Sequence, residues 1–163
     1  SMQHTISVLV VNQFGVLSRI SGLFSGRGFN IESLNVAETS EPGISRMTIV
    51  TRGDDKKVEQ ITKQLNKLVD IIKVTDLTEE HFVDRELILV KMNAEPRVRE
   101  EILRIVDIFR AKVVDVSSDN YTVEITGDEG KIKGFLELLK PLGIKEVVRS
   151  GRIAISRGIK SIS

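Results

Sequence analysis

The chain repeats one order of secondary-structure elements, and this repeat limits its possible folds more than any other feature. Segments with strand and helix patterns follow one another as strand, helix, strand, strand, helix, strand, and then do so again. The helical pattern is clearest after Asp54, where Val58, Ile61 and Leu65 are spaced three and four residues apart. In the first copy we predict strands at 5–11, 30–39, 45–52 and 71–76, and helices at 16–27 and from 54 onwards.

The second copy begins at Glu86, after a charged connector that has no clear apolar period. Pro96 favours the first turn of a helix, where its missing N–H group costs nothing. The dipeptide Ser150-Gly151 is typical of a turn, so the last apolar stretch is predicted to form two strands. The predicted elements are strands at 86–92, 112–116, 121–126, 146–149 and 152–156, and helices after Pro96 and at 131–139.

This order of elements predicts an α+β protein. Two right-handed βαβ crossovers fold each copy into a four-stranded antiparallel sheet with both helices on one face. We therefore predict two ferredoxin-like βαββαβ domains in tandem. The predicted limits are residues 1–77 for the first domain, 78–84 for a linker and 85–163 for the C-terminal domain.

The first strand is apolar on both of its faces. Leu9 and Val11 point away from the side on which Ile6, Val8 and Val10 lie, because side chains alternate along a strand. A sheet with one face open to water would carry polar residues on that face. We therefore expect the face opposite the helices to be covered by the other domain or by a second subunit.

The second strand, 30–39, is predicted to lie at an edge of its sheet. It contains no proline and no lysine, which often prevent an edge strand from pairing with another chain. We therefore predict a homodimer in which this strand pairs with its own copy to form one eight-stranded sheet. A two-fold pairing of this kind would bring Asn30 of one chain near the turn Asn12–Ser18 of the other chain in the dimer.

Composition excludes several classes of protein. The 24 Lys and Arg residues balance 23 Asp and Glu residues, for a net charge of +1, whereas a nucleic-acid-binding surface is basic. There is no cysteine, which excludes disulfides and thiolate metal sites and favours the cytoplasm. No apolar run approaches the ~18 residues of a membrane span. The only histidines, His4 and His81, are interpreted as structural or solvated residues, so no His-based catalytic site or metal site is predicted.

The turn between the first strand and the first helix is the candidate ligand site. The helix start presents free backbone N–H groups, which suit a carboxylate, and Asn12 adds an amide that both donates and accepts. Gly15 has two interpretations: a turn residue with an unusual backbone angle, or a position where a ligand approaches closely. The turn offers no nucleophile and no strong acid or base, which favours binding over catalysis. Gly22, in the middle of the helix, is interpreted as a site of close helix–sheet packing.

Other functions on this fold fit the sequence less well. The glycines lack both dinucleotide-binding and P-loop spacing. A small enzyme of the acylphosphatase kind needs a phosphate-binding loop with an Arg and an Asn in set places, and residues 12–19 do not provide it. An RNA-binding sheet of this topology needs aromatic residues on its central strands, where this chain has aliphatic ones. The arginines Arg19, Arg27, Arg46 and Arg52 have acidic neighbours and are interpreted as solvated.

Several segments together resemble the small, regulatory subunit of acetolactate synthase (acetohydroxyacid synthase), whose N-terminal domain is an ACT domain. In the first half these are Asn12–Arg19 (NQFGVLSR), Arg27–Leu34 (RGFNIESL) and Ser45–Val50 (SRMTIV). In the second half they are Asp107–Val116 (DIFRAKVVDV), Tyr121–Glu124 (YTVE), Arg149–Gly151 (RSG) and Ser156–Gly158 (SRG). The resemblance covers nearly the whole chain and both predicted domains, so it is specific to this subunit.

The resemblance implies a regulatory protein of branched-chain amino acid biosynthesis (valine and isoleucine) that catalyses nothing itself. Such a subunit activates the thiamine-diphosphate-dependent large subunit and confers feedback inhibition by valine. It also implies that thiamine diphosphate, Mg²⁺ and FAD belong to the large subunit, and that this chain holds no cofactor and no metal. Carried over by motif, the valine site lies at the dimer interface. It would use Asn12, Gly15, Val16 and Leu17 of one chain and Asn30 and Ile31 of the other chain.

Overall fold

The computed structural model describes residues 2–158, which form four helices and eight strands, one strand fewer than the sequence predicts. The first set is β1 (Met2–Val11), α1 (Val16–Gly26), β2 (Ile31–Glu38), β3 (Ile44–Gly53), α2 (Asp55–Asn66) and β4 (Ile71–Asp76). The second set is β5 (Phe82–Asn93), α3 (Pro96–Ile108), β6 (Lys112–Val116), β7 (Asn120–Gly127), α4 (Glu129–Gly143) and β8 (Ile144–Ser156). The predicted α+β class with two βαββαβ copies is confirmed.

Each copy has its own four-stranded antiparallel sheet. The strand order is β2-β3-β1-β4 in the first sheet and β6-β7-β5-β8 in the second. β2 therefore lies at an edge, as predicted, and pairs only with β3 among the described strands of its sheet.

Within residues 2–158, no helix is both long and apolar enough to cross a membrane.

The first core lies between the first sheet and its two helices. Alternation along β1 turns Ile6, Val8 and Val10 into this core, and all three are buried. The helices contribute one face each, with Phe24 of α1 and Ile61 of α2 fully buried. Each such side chain stabilises the fold by about 1.5–3 kcal/mol relative to an exposed one. Asp54 ends the preceding loop and accepts a hydrogen bond from the Lys56 N–H, as an N-cap residue does.

The second core follows the same plan. Ile88, Val90 and Met92 alternate along β5 and pack beneath α3 and α4. Phe109 and Phe135 meet edge to face with their ring centroids 5.3 Å apart. Each copy thus buries an apolar cluster of its own, which explains why the same order of elements folds twice.

The division of the chain into compact units differs from the predicted domain limits. One unit contains residues 2–83 together with residues 152–158, and the other contains residues 84–151. The end of β8 therefore packs in the first unit, although the sequence placed it in the C-terminal domain. It covers the face of the first sheet opposite the helices, where Leu9 packs with Leu77 and Ala154. The second apolar face of β1 is thus covered by the end of the C-terminal strand of the same chain.

Two sequence-based interpretations are wrong. Ser150 and Gly151 form no turn, since β8 continues through them as one strand from Ile144 to Ser156. The Ser150 hydroxyl accepts a hydrogen bond from the Leu87 N–H, and Gly151 takes a φ of +85°, so the strand carries an irregularity in place of a turn. Gly22 does not mark close packing, because a Cβ added there would meet no described atom within 4 Å apart from its chain neighbours and the nearby backbone of its own helix.

Candidate functional site

The turn at residues 12–15 is fixed to its surroundings by backbone hydrogen bonds. The Val11 N–H donates to the Asp70 carbonyl oxygen at 2.8 Å, and the Asn12 N–H donates to the Gly43 carbonyl oxygen at 2.7 Å. The Gly43 N–H in turn donates to the Glu38 carboxylate at 2.9 Å. The turn after β1 is thereby tied both to the β2–β3 turn and to the start of β4.

Gly15 is the N-cap residue directly before α1 and has a left-handed conformation, with a φ of +84°. Glycine adopts this conformation at no steric cost, so the structure confirms the unusual backbone angle. No side chain caps the helix here, and its first turn contains no acidic residue. The N–H groups at the helix start therefore keep their affinity for an anion.

The predicted site residues of this turn differ in what they can present to a ligand. The Asn12 side chain is exposed, and Leu17 is 46% exposed, so both are accessible. Val16 is only 5% exposed and packs in the first core beside Ile20. Its side chain belongs to the core, and only its backbone is left for a ligand to contact.

Asn30 and Ile31 lie at the other end of the sheet from this turn. In the strand register, Ile31 of β2 stands opposite Thr51 of β3, which is paired with His4 at the start of β1. Val11 stands opposite Ile44, seven residues further along β1, which corresponds to about 24 Å at 3.4 Å per residue. One chain therefore does not bring the two groups of predicted site residues together.

Arg19 is a charged neighbour of this turn, and it is not simply solvated as predicted from the sequence. Its guanidinium forms an ion pair with the Asp70 carboxylate. A Cβ added at Gly15 would lie 3.3 Å from Arg19 Nη1, so the guanidinium lies beside the glycine. The spacing of four residues, one helical turn, was the available signal for this proximity. The partner Asp70 is 51 residues away in sequence and gave no such signal.

The histidine His4 has a structural place outside the candidate site. Its ring is buried, with Nδ1 2.8 Å from Asp76 Oδ2 and Nε2 3.1 Å from Asp55 Oδ1. It thus joins β1 to the end of β4 and the start of α2. Among residues 2–158, no group of three or more His, Asp and Glu side chains is placed to hold a metal ion.

An open groove of about 530 Å³ lies elsewhere in the first unit, at the C-terminal ends of α1 and α2. Its lining is polar and basic and includes Arg27, Lys63 and Lys67. Cations at helix C-termini interact favourably with the helix dipole, which accounts for these residues. The groove contains none of the predicted site residues.

The chain matches two family models and several known proteins along most of its length. Residues 6–73 match the "AHAS small subunit-like ACT domain" model, and residues 85–158 match the "Small subunit of acetolactate synthase" model. It is 54% identical over 159 residues to a probable acetolactate synthase small subunit of Archaeoglobus fulgidus, covering 98% of this chain and 99% of that protein. It is 56% identical over 156 residues to the acetolactate synthase small subunit of Aquifex aeolicus, covering 95% of this chain and 81% of that one.

A solved structure agrees with these matches. The crystal structure of the acetolactate synthase small subunit of Thermotoga maritima superposes with a TM-score of 0.88 at 41% sequence identity. The superposition covers 97% of this chain and 99% of the other. On the sequence and on the fold alike, this chain belongs to the family of acetolactate synthase small subunits.

Proposed function

We propose that this small subunit activates the thiamine-diphosphate-dependent large subunit of acetolactate synthase and makes it sensitive to feedback inhibition by valine. Membership of the family implies a large catalytic subunit as its partner. Activation and inhibition need no chemistry in this chain, only two states that bind valine and the large subunit differently. The proposed role lies in branched-chain amino acid biosynthesis, for valine and isoleucine.

The placement of the predicted site residues at opposite ends of the first sheet supports a valine site shared by two copies. β1 and β2 run in the same direction, because each is antiparallel to β3. Antiparallel pairing of β2 with its own copy would reverse that direction across the two-fold axis. The Asn30 end of one copy would then lie at the Asn12 end of the other. The site is incomplete in one chain and complete in such a dimer.

The edge of β2 is suited to this pairing. Residues Ile31–Glu38 contain no proline and no lysine, and much of the strand is exposed. An edge strand of a sheet forms backbone hydrogen bonds readily with a strand of another chain. A homodimer paired in this way would create two equivalent ligand sites.

The groups in each site match the chemistry of valine. The N–H groups at the start of α1 would bind the carboxylate, and the amides of Asn12 and of Asn30 from the second chain would bind the amino group and the remaining carboxylate oxygen. Leu17 and Ile31 from the second chain would contact the isopropyl group. Gly15 leaves the space beside the helix start open.

We propose further that the chain itself is not an enzyme and carries no cofactor. The side chains of the turn, from Asn12 to Gly15, include no nucleophile, acid or base. Thiamine diphosphate, Mg²⁺ and FAD would then be bound by the large subunit, where the reaction takes place.

The test is reconstitution of the large subunit with this chain across a valine titration. We expect the wild-type chain to raise the activity of the large subunit and valine to lower it again. Asn30→Ala removes a polar contact and should weaken valine inhibition by about tenfold to a hundredfold. Gly15→Asp places a like charge beside the valine carboxylate and should abolish inhibition while activation persists.

The matched control is Asn66→Ala, which removes an exposed asparagine at the end of α2 and should leave inhibition normal. Light scattering on each variant shows whether the dimer persists. If the wild-type chain does not raise the activity of the large subunit, the proposed function is wrong. If Asn30→Ala and Gly15→Asp are both inhibited normally, the valine site lies elsewhere.

A further inference from the structure

We propose that Arg19 binds the carboxylate of the amino-acid effector and that Asp70 is a positioning residue that holds Arg19 in place. This inference rests on the proposed function, since it concerns the same effector site. It adds a charged side chain to a site for which the sequence predicted only backbone N–H groups, amides and apolar side chains.

The guanidinium of Arg19 has two neighbours in the structure. Nη2 donates to the Asp70 carboxylate, and Nη1 lies 3.3 Å from the position that a Cβ of Gly15 would occupy. The guanidinium is a planar fork of five N–H donors, so it can bind one carboxylate on each side. One side is taken by Asp70, and the other lies beside Gly15.

Asp70 is well placed to position this fork. Its side chain is only 14% exposed, and its backbone carbonyl accepts the hydrogen bond from the Val11 N–H at 2.8 Å. It is thus fixed to the end of β1, directly before Asn12. Arg19, by contrast, is 49% exposed, so its charge remains accessible to a ligand from solution.

The absence of a side chain at residue 15 leaves this access open. At 3.3 Å from Nη1, even a methyl group would crowd the guanidinium, and a larger side chain would stand between Arg19 and a ligand in the turn. The requirement for glycine at this position is therefore twofold. The positive φ favours it, and so does the approach of an anion to Arg19.

Charge recognition of this kind makes the site selective for a free carboxylate. L-valine carries the carboxylate, and L-valinamide has the same side chain and amino group without it. Hydrogen bonds to charged groups are about twice as strong as neutral ones, so Arg19 should favour L-valine over L-valinamide by at least about tenfold. A residue that only stabilises the turn would affect both ligands equally.

The experiment is calorimetric titration of the full-length protein with L-valine and, separately, with L-valinamide. Arg19→Met keeps much of the aliphatic side chain and removes the charge. We expect it to weaken L-valine binding at least about tenfold and to leave L-valinamide binding nearly unchanged. Arg19→Lys keeps the charge without the planar guanidinium, so its affinity for L-valine should lie between those of Arg19→Met and the wild type.

Asp70→Asn tests the positioning role. It should weaken L-valine binding less than Arg19→Met does, because Arg19 keeps its charge but loses its fixed orientation. The control is Arg104→Met in the second unit, another exposed arginine in an ion pair, with Glu101. It should leave both affinities unchanged.

Two results would overturn the assignment of Arg19. One is normal L-valine binding by Arg19→Met, and the other is an equal loss of L-valine and L-valinamide binding. A wild-type protein that binds no L-valine would instead overturn the proposed function. Thermal unfolding of each variant shows whether it is folded. If Arg19→Met does not fold, Arg19→Lys tests the role of Arg19 in its place.

Discussion

Ser33 accepts a hydrogen bond from the backbone N–H of Arg152 at 2.8 Å, although 119 residues separate the two in sequence. Ser33 belongs to β2 at the edge of the first sheet, and Arg152 belongs to the end of β8. The Arg152 side chain also donates to the side chain of Gln3 at 3.2 Å. The end of the C-terminal strand, from Arg152 onwards, is therefore a structural part of the first unit.

Ala154→Asp should show how much this cover contributes to stability. Ala154 is 6% exposed and packs with Leu9 and Leu77, so a carboxylate there would be buried without a partner. We expect a loss of about 3 kcal/mol in the free energy of unfolding of the first unit. Ile155→Asp is the matched control, because the adjacent side chain is 58% exposed and should change stability by about 0.5 kcal/mol or less. Equal effects in urea unfolding would contradict this packing.

Glycine-to-alanine changes at the N-cap of α1 and in its interior should change the free energy of unfolding in opposite directions. Gly15→Ala forces a Cβ into a left-handed conformation and against Arg19, which should cost about 1–2 kcal/mol. Gly22→Ala adds a Cβ that would contact nothing outside its own helix within 4 Å, and it removes a flexible residue from a helix interior, which should gain about 0.5–1 kcal/mol. Thermal unfolding measures both variants. A stabilising Gly15→Ala would show that the backbone of the turn is not held in this conformation.

His4→Ala should destabilise the first unit, whereas His81→Ala should not. The buried His4 ring joins Asp76 and Asp55, and its removal leaves a cavity and the Asp76 carboxylate without that partner. We expect a loss of about 2–3 kcal/mol, measured by urea unfolding. The His81 side chain is exposed and should change stability by about 0.5 kcal/mol or less. The two variants thus distinguish the structural role of His4 from that of His81, which could not be told apart from the sequence.

The order of the elements could be predicted from the sequence because it depends on local periodicity. α2 begins within a residue of its predicted start, which the capping Asp54 marks, and β4 has its predicted bounds, since alternating apolar residues mark it directly. The edge position of β2 followed from the right-handed crossover rule, which needs no knowledge of individual contacts. The backbone conformation of Gly15 followed from its place between a strand and a helix.

Features that depend on distant partners could not be predicted in this way. The dipeptide Ser150-Gly151 is typical of turns, yet β8 continues through it. There the Ser150 hydroxyl accepts a hydrogen bond from the Leu87 N–H, some sixty residues earlier in the chain. The pairing of Arg19 with Asp70 depends on how α1 meets the start of β4. The distance between the Asn12 turn and Asn30 depends on strand register, which is set by the whole sheet.

Glu86→Gln should destabilise the second unit, because Glu86 holds β8 at its irregular point. Its side chain is 9% exposed; Oε1 accepts hydrogen bonds from Arg149 at 2.6 Å and 3.2 Å, and Oε2 accepts one from the Gly151 N–H at 3.2 Å. Glutamine loses the charge and has only one carbonyl oxygen, so its NH₂ group would face either a guanidinium or an N–H donor.

Hydrogen bonds to a charged group contribute about 1.5–3 kcal/mol, so we expect a loss of that order in the free energy of unfolding, measured by urea unfolding. Glu137→Gln is the matched control, since Glu137 is exposed on α4 and should change stability by about 0.5 kcal/mol or less. Hydrogen exchange at Gly151 adds a local measurement. Its N–H should exchange faster in Glu86→Gln than in the control, and equal rates would mean that the Glu86 carboxylate does not hold this part of β8.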